Sequence, residues 1–312
     1  MARAVVWTVA GAAAGVALVL TLLGVGDAAA ALPNWQALVL GLVQGTTELL
    51  PISSSGHLIL VPWLADWQYL EEHDAFNQTF DVSLHLGTLV AVVLYFWHEL
   101  VRLVAAWFRS VRRRRVDSDE ERIAWAVVAA TVPAAVVGAA GEDVIAEHLG
   151  EPWQIAIFLA LFGVLLYVAD RQPQTRHMDD VGVRSAFAIG LAQTLALMPG
   201  VSRSGITITA GRFLGLDRDS AARFSFLLLV PITLGAVVYK GVGDVLLAEL
   251  PPGSAGPFVV GTLASFAAGL VAISALLGYV RRHDYSLFVW YRLALAAFVL
   301  LLIVTGARGA SF

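Results

Sequence analysis

No cysteine occurs anywhere in the chain, which excludes a disulfide framework, a thiol nucleophile and any cysteine-based metal site. Charge is scarce as well: Asp, Glu, Lys and Arg make up 14% of the residues against 58% hydrophobic, and the mean hydropathy is +0.76. That balance excludes an ordinary soluble domain, so the chain reads as an all-α integral membrane protein. Any chemistry must come from Ser, Thr, His, Glu, Asp and Arg. The net charge of -4 says little about partners, since the placement of charges matters more than their sum. Membrane lipids are the expected surroundings, and no nucleic-acid partner is expected.

Long apolar runs supply the frame. Val5 to Leu23 is uninterrupted, and Ala28 to Ala31 offers small-residue cleavage sites, so residues 1–33 are either a signal peptide or an extra helix, with the uncleaved helix favoured by its length. Six further runs, 81–98, 123–141, 153–170, 221–240, 257–280 and 289–306, read as spanning helices. Two other apolar stretches, 35–64 and 185–214, are broken near the middle by Pro, Gly and clustered serines. They read as re-entrant helical hairpins, whose irregular backbone must be buried in protein or line a watery cavity.

The two hairpins are copies. At a constant offset of 149, Gly41, Leu42, Gln44, Ser53, Ser55 and Gly56 meet Gly190, Leu191, Gln193, Ser202, Ser204 and Gly205. One hairpin plus three spanning helices forms each half, 34–170 and 171–312. Three crossings are odd, so the second copy starts from the opposite side of the membrane and the repeats are inverted. Arg102, Arg109, Arg112 to Arg115, Arg171, Arg176, Arg184, Arg281 and Arg282 mark the cytoplasmic loops, and the tract 111–121 reads as a solvated loop. Asp66, Glu71, Glu72, Asp74, Glu142, Asp143, Glu147, Glu151, Asp244 and Glu249 mark the outer ones, with Lys240 the basic exception. The first hairpin then enters from outside and the second from the cytoplasm.

Polar groups inside apolar segments are costly and mark function. Gln44 and Glu48, four apart, share a helix face, and a carboxylate beside an amide oxygen suits Mg²⁺ or Ca²⁺. Helix-to-helix hydrogen bonding is the bland alternative. Ser53, Ser54 and Ser55 follow Pro51 where a helix restarts and free N–H groups can bind an anion, although serines also cap helices routinely. His57 titrates near neutrality, as a general acid, base or nucleophile should. In the second hairpin Arg203 stands between Ser202 and Ser204, with Thr207 beyond; a guanidinium grips phosphate bidentately, or it could merely tie the hairpins through an ion pair with Glu48. Glu48 and His57 correspond to Leu197 and Ile206, and Arg203 to Ser54, so the chemistry is divided between the copies.

These motifs, Gln44 and Glu48 running into Pro51, Ser53, Ser54, Gly56 and His57, then Pro199, Gly200, Ser202, Arg203, Ser204 and Thr207, resemble the undecaprenyl-diphosphatase family of the bacitracin-resistance type, over 35–306. The resemblance implies hydrolysis of a C55 prenyl diphosphate carrier to its monophosphate at the plasma membrane, recycling the carrier for cell-wall polysaccharide synthesis. It implies metal at Glu48, aided by Gln44; Ser54 or His57 as nucleophile or acid/base; and Arg203, Ser202, Ser204 and Thr207, with Ser53 and Ser55, around the diphosphate. Gln44 stands where the family commonly has glutamate, which weakens a two-carboxylate metal site. Inverted repeats alone would favour a lipid-phosphate flippase or anion transporter. Acid/base groups beside an anion cradle favour hydrolysis. The cavity is expected to face the extracytoplasmic side.

Overall fold

The computed structural model describes residues 3–24, 32–240 and 254–311. The Ala28–Ala31 tract, Asp244 and Glu249 lie outside the described residues, as do the side chains of Glu71, Asp74, Glu142, Asp143, Glu147 and Lys240. Among the described residues the chain is helical, and its one β pairing is an isolated bridge between Arg176 and Leu216. In chain order the helices are α1 (Arg3–Leu22), α2 (Asn34–Leu49), α3 (Ser54–Ala65), the single turn α4 (Tyr69–Glu72), α5 (Asp74–Tyr95), α6 (Trp97–Arg113) and α7 (Asp119–His148). Then come α8 (Pro152–Asp170), α9 (Val183–Gln193), α10 (Arg203–Phe213), α11 (Arg218–Lys240), α12 (Ala255–Val280) and α13 (Ser286–Val304).

Seven of these, α1, α5, α7, α8, α11, α12 and α13, contain segments long and apolar enough to cross a bilayer. Their outer faces carry bare Trp7, Leu22, Leu161, Trp290 and Val304, which only a lipid surround leaves unpunished. α2, α3, α9 and α10, with 16, 12, 11 and 11 residues, are too short to cross. They form two pairs, each broken next to a proline. Leu50 before Pro51 and Met198 before Pro199 are extended, as a residue preceding proline prefers, and each break then restarts as a helix capped by serine.

Two expectations need correcting. The predicted span 81–98 is helical from Asp74, stops at Phe96, and gives way to a second helix instead of an arginine-rich loop. Arg102, Arg109, Arg112 and Arg113 lie on α6, whose apolar face buries Leu103 and Ala106 while Glu99 and Arg112–Arg113 complement its dipole ends. Within the tract 111–121 the solvated loop is confined to 114–118, with helix on either side, and Glu121 is buried, ion-paired to Arg113 and accepting the Asp117 N–H at 2.8 Å. Arginine count hid the 3.6-residue period.

Close helix contacts cross between the halves. α2 lies on α12, where a Cβ on Gly41 or Gly45 would collide with the Gly261 or Ser265 carbonyl. α9 lies on α7 in the same way, Gly190 facing the Ala130 carbonyl. Small residues let such backbones approach where no hydrophobic drive between helices exists. α5 likewise packs on α12, α11 on α7, and α8 on α13. α1 lies along α12 with Ala17 buried against Val260 and Ala264.

Candidate active site

The two breaks meet in the middle of the bundle. Ser53 (φ 76°) and Ser202 (φ 75°) hold the same left-handed conformation, rare for a residue with a Cβ, and each side chain accepts the N–H three residues on, from Gly56 at 3.3 Å and Gly205 at 3.1 Å. Ser53 Oγ also accepts the Gly200 N–H at 3.1 Å, and Ser204 Oγ donates to the Leu50 carbonyl at 2.9 Å, so each tip is bonded to the other. α3 and α10 both begin here, aiming two positive helix ends at one place.

Glu48, 6% exposed, is the hub. Its Oε2 accepts a short hydrogen bond from Ser54 Oγ and one from Gln44 Nε2 at 3.3 Å; its Oε1 accepts from Arg203 Nη2 at 3.1 Å and Nε at 3.4 Å. Arg203 Nη1 donates to the Ser225 carbonyl at 3.0 Å, so two of its five N–H groups remain for another acceptor. The ion pair that ties the hairpins is present, and the arginine still lines open space. Thr207 Oγ1 bonds to the Arg203 carbonyl at 2.8 Å and to Ser225 Oγ at 2.8 Å, which fixes the start of α10.

A cavity of about 540 Å³ opens from this hub, lined at one end by Glu48, Ser54, Ser55, Ser202 and Arg203 and elsewhere by small and apolar residues of α7 and α11. Ser53, Ser204 and Thr207 hold the tips from behind. His57 is not among the lining residues: its Nδ1 sits 2.6 Å from the Ser53 carbonyl and its Nε2 2.7 Å from the Tyr291 hydroxyl. A carbonyl only accepts, so Nδ1 carries a proton and donates it, while Nε2 pairs with the Tyr291 hydroxyl. The ring thus braces the strained Ser53, with both nitrogens engaged.

Four residues escaped the sequence reading. His85 on α5 places Nε2 3.7 Å from Glu48 Oε2, and Gln78 and Asp81, one or two turns earlier, line the same cavity. Arg292 on α13, fully buried, donates to the carbonyls of Pro51, Gly200 and Val201 at 3.2, 3.0 and 3.1 Å and to that of Leu159 at 3.0 Å. One guanidinium satisfies the backbone that both breaks leave open. A cation would find one carboxylate and, beside it, Gln44 Oε1, buried with no partner among the described residues. No group of three or more His, Asp or Glu able to hold a metal occurs among the described residues.

Fold and site define a multi-pass helical membrane protein with a buried carboxylate, hydroxyl and guanidinium where two hairpin tips touch. Residues 37–298 match the family model described as bacitracin resistance protein BacA, and the chain belongs to that family. The undecaprenyl-diphosphatase of Pelotomaculum thermopropionicum is 44% identical over 270 residues, covering 86% of this chain and 96% of that one. That of Geobacter metallireducens is 46% identical over 269 residues (86% and 97%), and that of Rubrobacter xylanophilus 44% over 271 (86% and 98%).

Proposed function

We propose that the chain hydrolyses a polyprenyl diphosphate to the monophosphate and inorganic phosphate, the activity for which its relatives are named, and so recycles a lipid carrier of cell-wall synthesis. The observation that carries this reading is the Ser54–Glu48–Arg203 constellation at the head of a largely apolar cavity. Ser54 Oγ, its proton held by Glu48, is placed to attack the terminal phosphorus. The bridging P–O bond breaks and the prenyl monophosphate leaves, taking from Glu48 the proton that came from Ser54. The freed carboxylate then takes a proton from the water that cleaves the phosphoseryl bond and returns it to the departing Ser54 oxygen, releasing inorganic phosphate. The free N–H groups of Arg203 and the first turns of α3 and α10 offset charge on the phosphoryl oxygens. A flippase or anion carrier needs no carboxylate-activated hydroxyl.

Gln44 Oε1 and Glu48 would hold Mg²⁺ or Ca²⁺, with Asp81 near in the cavity and the remaining ligands from substrate and water. Such an ion supplies charge neutralisation at the diphosphate. Two protein oxygens suit an ion that arrives with its substrate.

The cavity is lined by the first half of α5, the middle of α7 and the last turns of α11. The arginine-rich ends of the helices lie at their opposite termini, so the positive-inside bias supports an extracytoplasmic opening and inverted halves. Oriented vesicles test both points. Wild type should release phosphate from farnesyl diphosphate on the outer side, while Arg203→Lys, which keeps charge but loses the fork, should insert normally and turn over at least tenfold more slowly. No release by wild type defeats the phosphatase; release into the cytoplasmic compartment defeats the orientation.

A further inference from the structure

Two glutamines occupy matching places in the hairpins. At Gln44 the residue four further on is Glu48, and the carboxamide nitrogen donates to it. At Gln193 the residue four further on is Leu197, and that partner is gone. Gln193 is 2% exposed, and both Nε2 and Oε1 are buried with no hydrogen bond among the described residues. A buried amide with neither end paired is costly, and native structures keep one only where something else meets it.

The residue borders the cavity that Glu48, Ser54 and Arg203 also line, with its two amide atoms covered. Thr131 and Ala134 of α7 and Ala196 in the turn after α9 line the same cavity, and no hydrogen bond joins Gln193 to any of them. A carboxamide offers donors and an acceptor from one planar group, which suits a phosphate oxygen and its hydrating water together.

We propose that Gln193 is a substrate-binding residue that hydrogen-bonds the diphosphate, the second hairpin's counterpart to a glutamine that the first has committed to Glu48. This rests on the phosphatase reading. It also explains why the copy without the carboxylate keeps an amide that its own fold leaves unpaired.

The test uses the full-length protein in detergent, with farnesyl diphosphate as substrate and farnesyl monophosphate and inorganic phosphate as inhibitors. Gln193→Leu and the more closely shaped Gln193→Met remove an unpaired amide, so both should melt no lower than wild type while KM rises roughly tenfold, the worth of a hydrogen bond to a charged group. Weakened inhibition by the monophosphate alone places the contact on the lipid-linked phosphate; weakened inhibition by inorganic phosphate alone places it on the terminal one. Unchanged KM with unchanged inhibition overturns the proposal. So does a lower melting temperature in both variants, which would reveal a structural partner for the amide. Binding is read separately, as the rise in melting temperature that farnesyl diphosphate gives without turnover. Wild type that is stabilised but releases no phosphate would fail the proposed function, and loss of that stabilisation in the variants would still decide the role of Gln193.

Discussion

The first hairpin ends its entering helix with Glu48 turned to the cavity, and the second has Leu197 at the matching place, its side chain near Gly138 of α7. Much that shapes the break is shared: a proline, the left-handed serine cap and one glycine, Gly41 or Gly190, pressed on a facing helix. Everything that could react is not. What the two breaks share is geometrically demanding, a strained cap and a close backbone approach, and what they do not share need occur only once. A carboxylate on both tips would bring two buried negative charges together and push one to take up a proton.

The comparison breaks most sharply at that carboxylate. Glu48→Gln should lower kcat by about a thousandfold or more, since it removes the base at Ser54 and the partner of Arg203 at once. Adding Leu197→Glu to that background should not restore turnover, because no serine hydroxyl is hydrogen-bonded at that place. Phosphate release with melting temperature as the folding control decides it; substantial recovery would mean that the tips are chemically interchangeable.

A smaller effect tests whether the shared scaffold is equally tight in both copies. Gly41→Ala and Gly190→Ala each drive a Cβ into a facing carbonyl, so each should cost about 1–3 kcal/mol of stability, and by similar amounts. Unequal losses in thermal melts would show that one hairpin yields and the other does not.

Smallest is the difference between the turns that follow. Asp66 closes the first hairpin against Arg308 at 2.8 Å, whereas Asp217 follows the second and accepts from the Ser220 N–H at 2.8 Å and hydroxyl at 2.7 Å, with His177 Nδ1 at 2.7 Å. Burial pushes the Asp217 carboxyl upward, but the Ser220 bonds and His177 together hold it below the usual carboxylate range. A depressed carboxyl stabilises above its unfolded pKa, about 4, and that contribution is lost as pH falls through the lower folded value. Asp217→Asn should therefore melt slightly below wild type at pH 6, with the gap narrowing as pH falls below about 4. A gap that stays constant or widens below about pH 4 would remove the charge from the explanation.

Much of this was legible in the chain. The spanning helices, both breaks and the residues around them follow from apolar run length, proline and a repeat offset that aligns polar positions across an apolar background. Glu48, Ser54 and Arg203 stood out because ionisable and hydroxyl groups clustered at the breaks. His57 looked equally reactive, yet sequence spacing carries no side-chain direction, and its ring turns to Tyr291 on a helix more than 200 residues away. Arg292 left a signal that went unused, a lone arginine inside the apolar run from Ser286 to Val304. Gln78, Asp81 and His85 left another, polar residues at helical spacing on one face of α5. α6 failed for the opposite reason, as its arginines drowned a regular apolar stripe.

The span between Glu48 and Arg203, 155 residues, has a consequence during synthesis. A ribosome finishes the first hairpin long before the second exists, and Arg292 follows later still. Until then the carboxylate faces no guanidinium, and the open carbonyls of Pro51 have no donor from α13. A chain truncated before its last helix therefore holds Ser54, Glu48 and Arg203 without the guanidinium that satisfies both breaks.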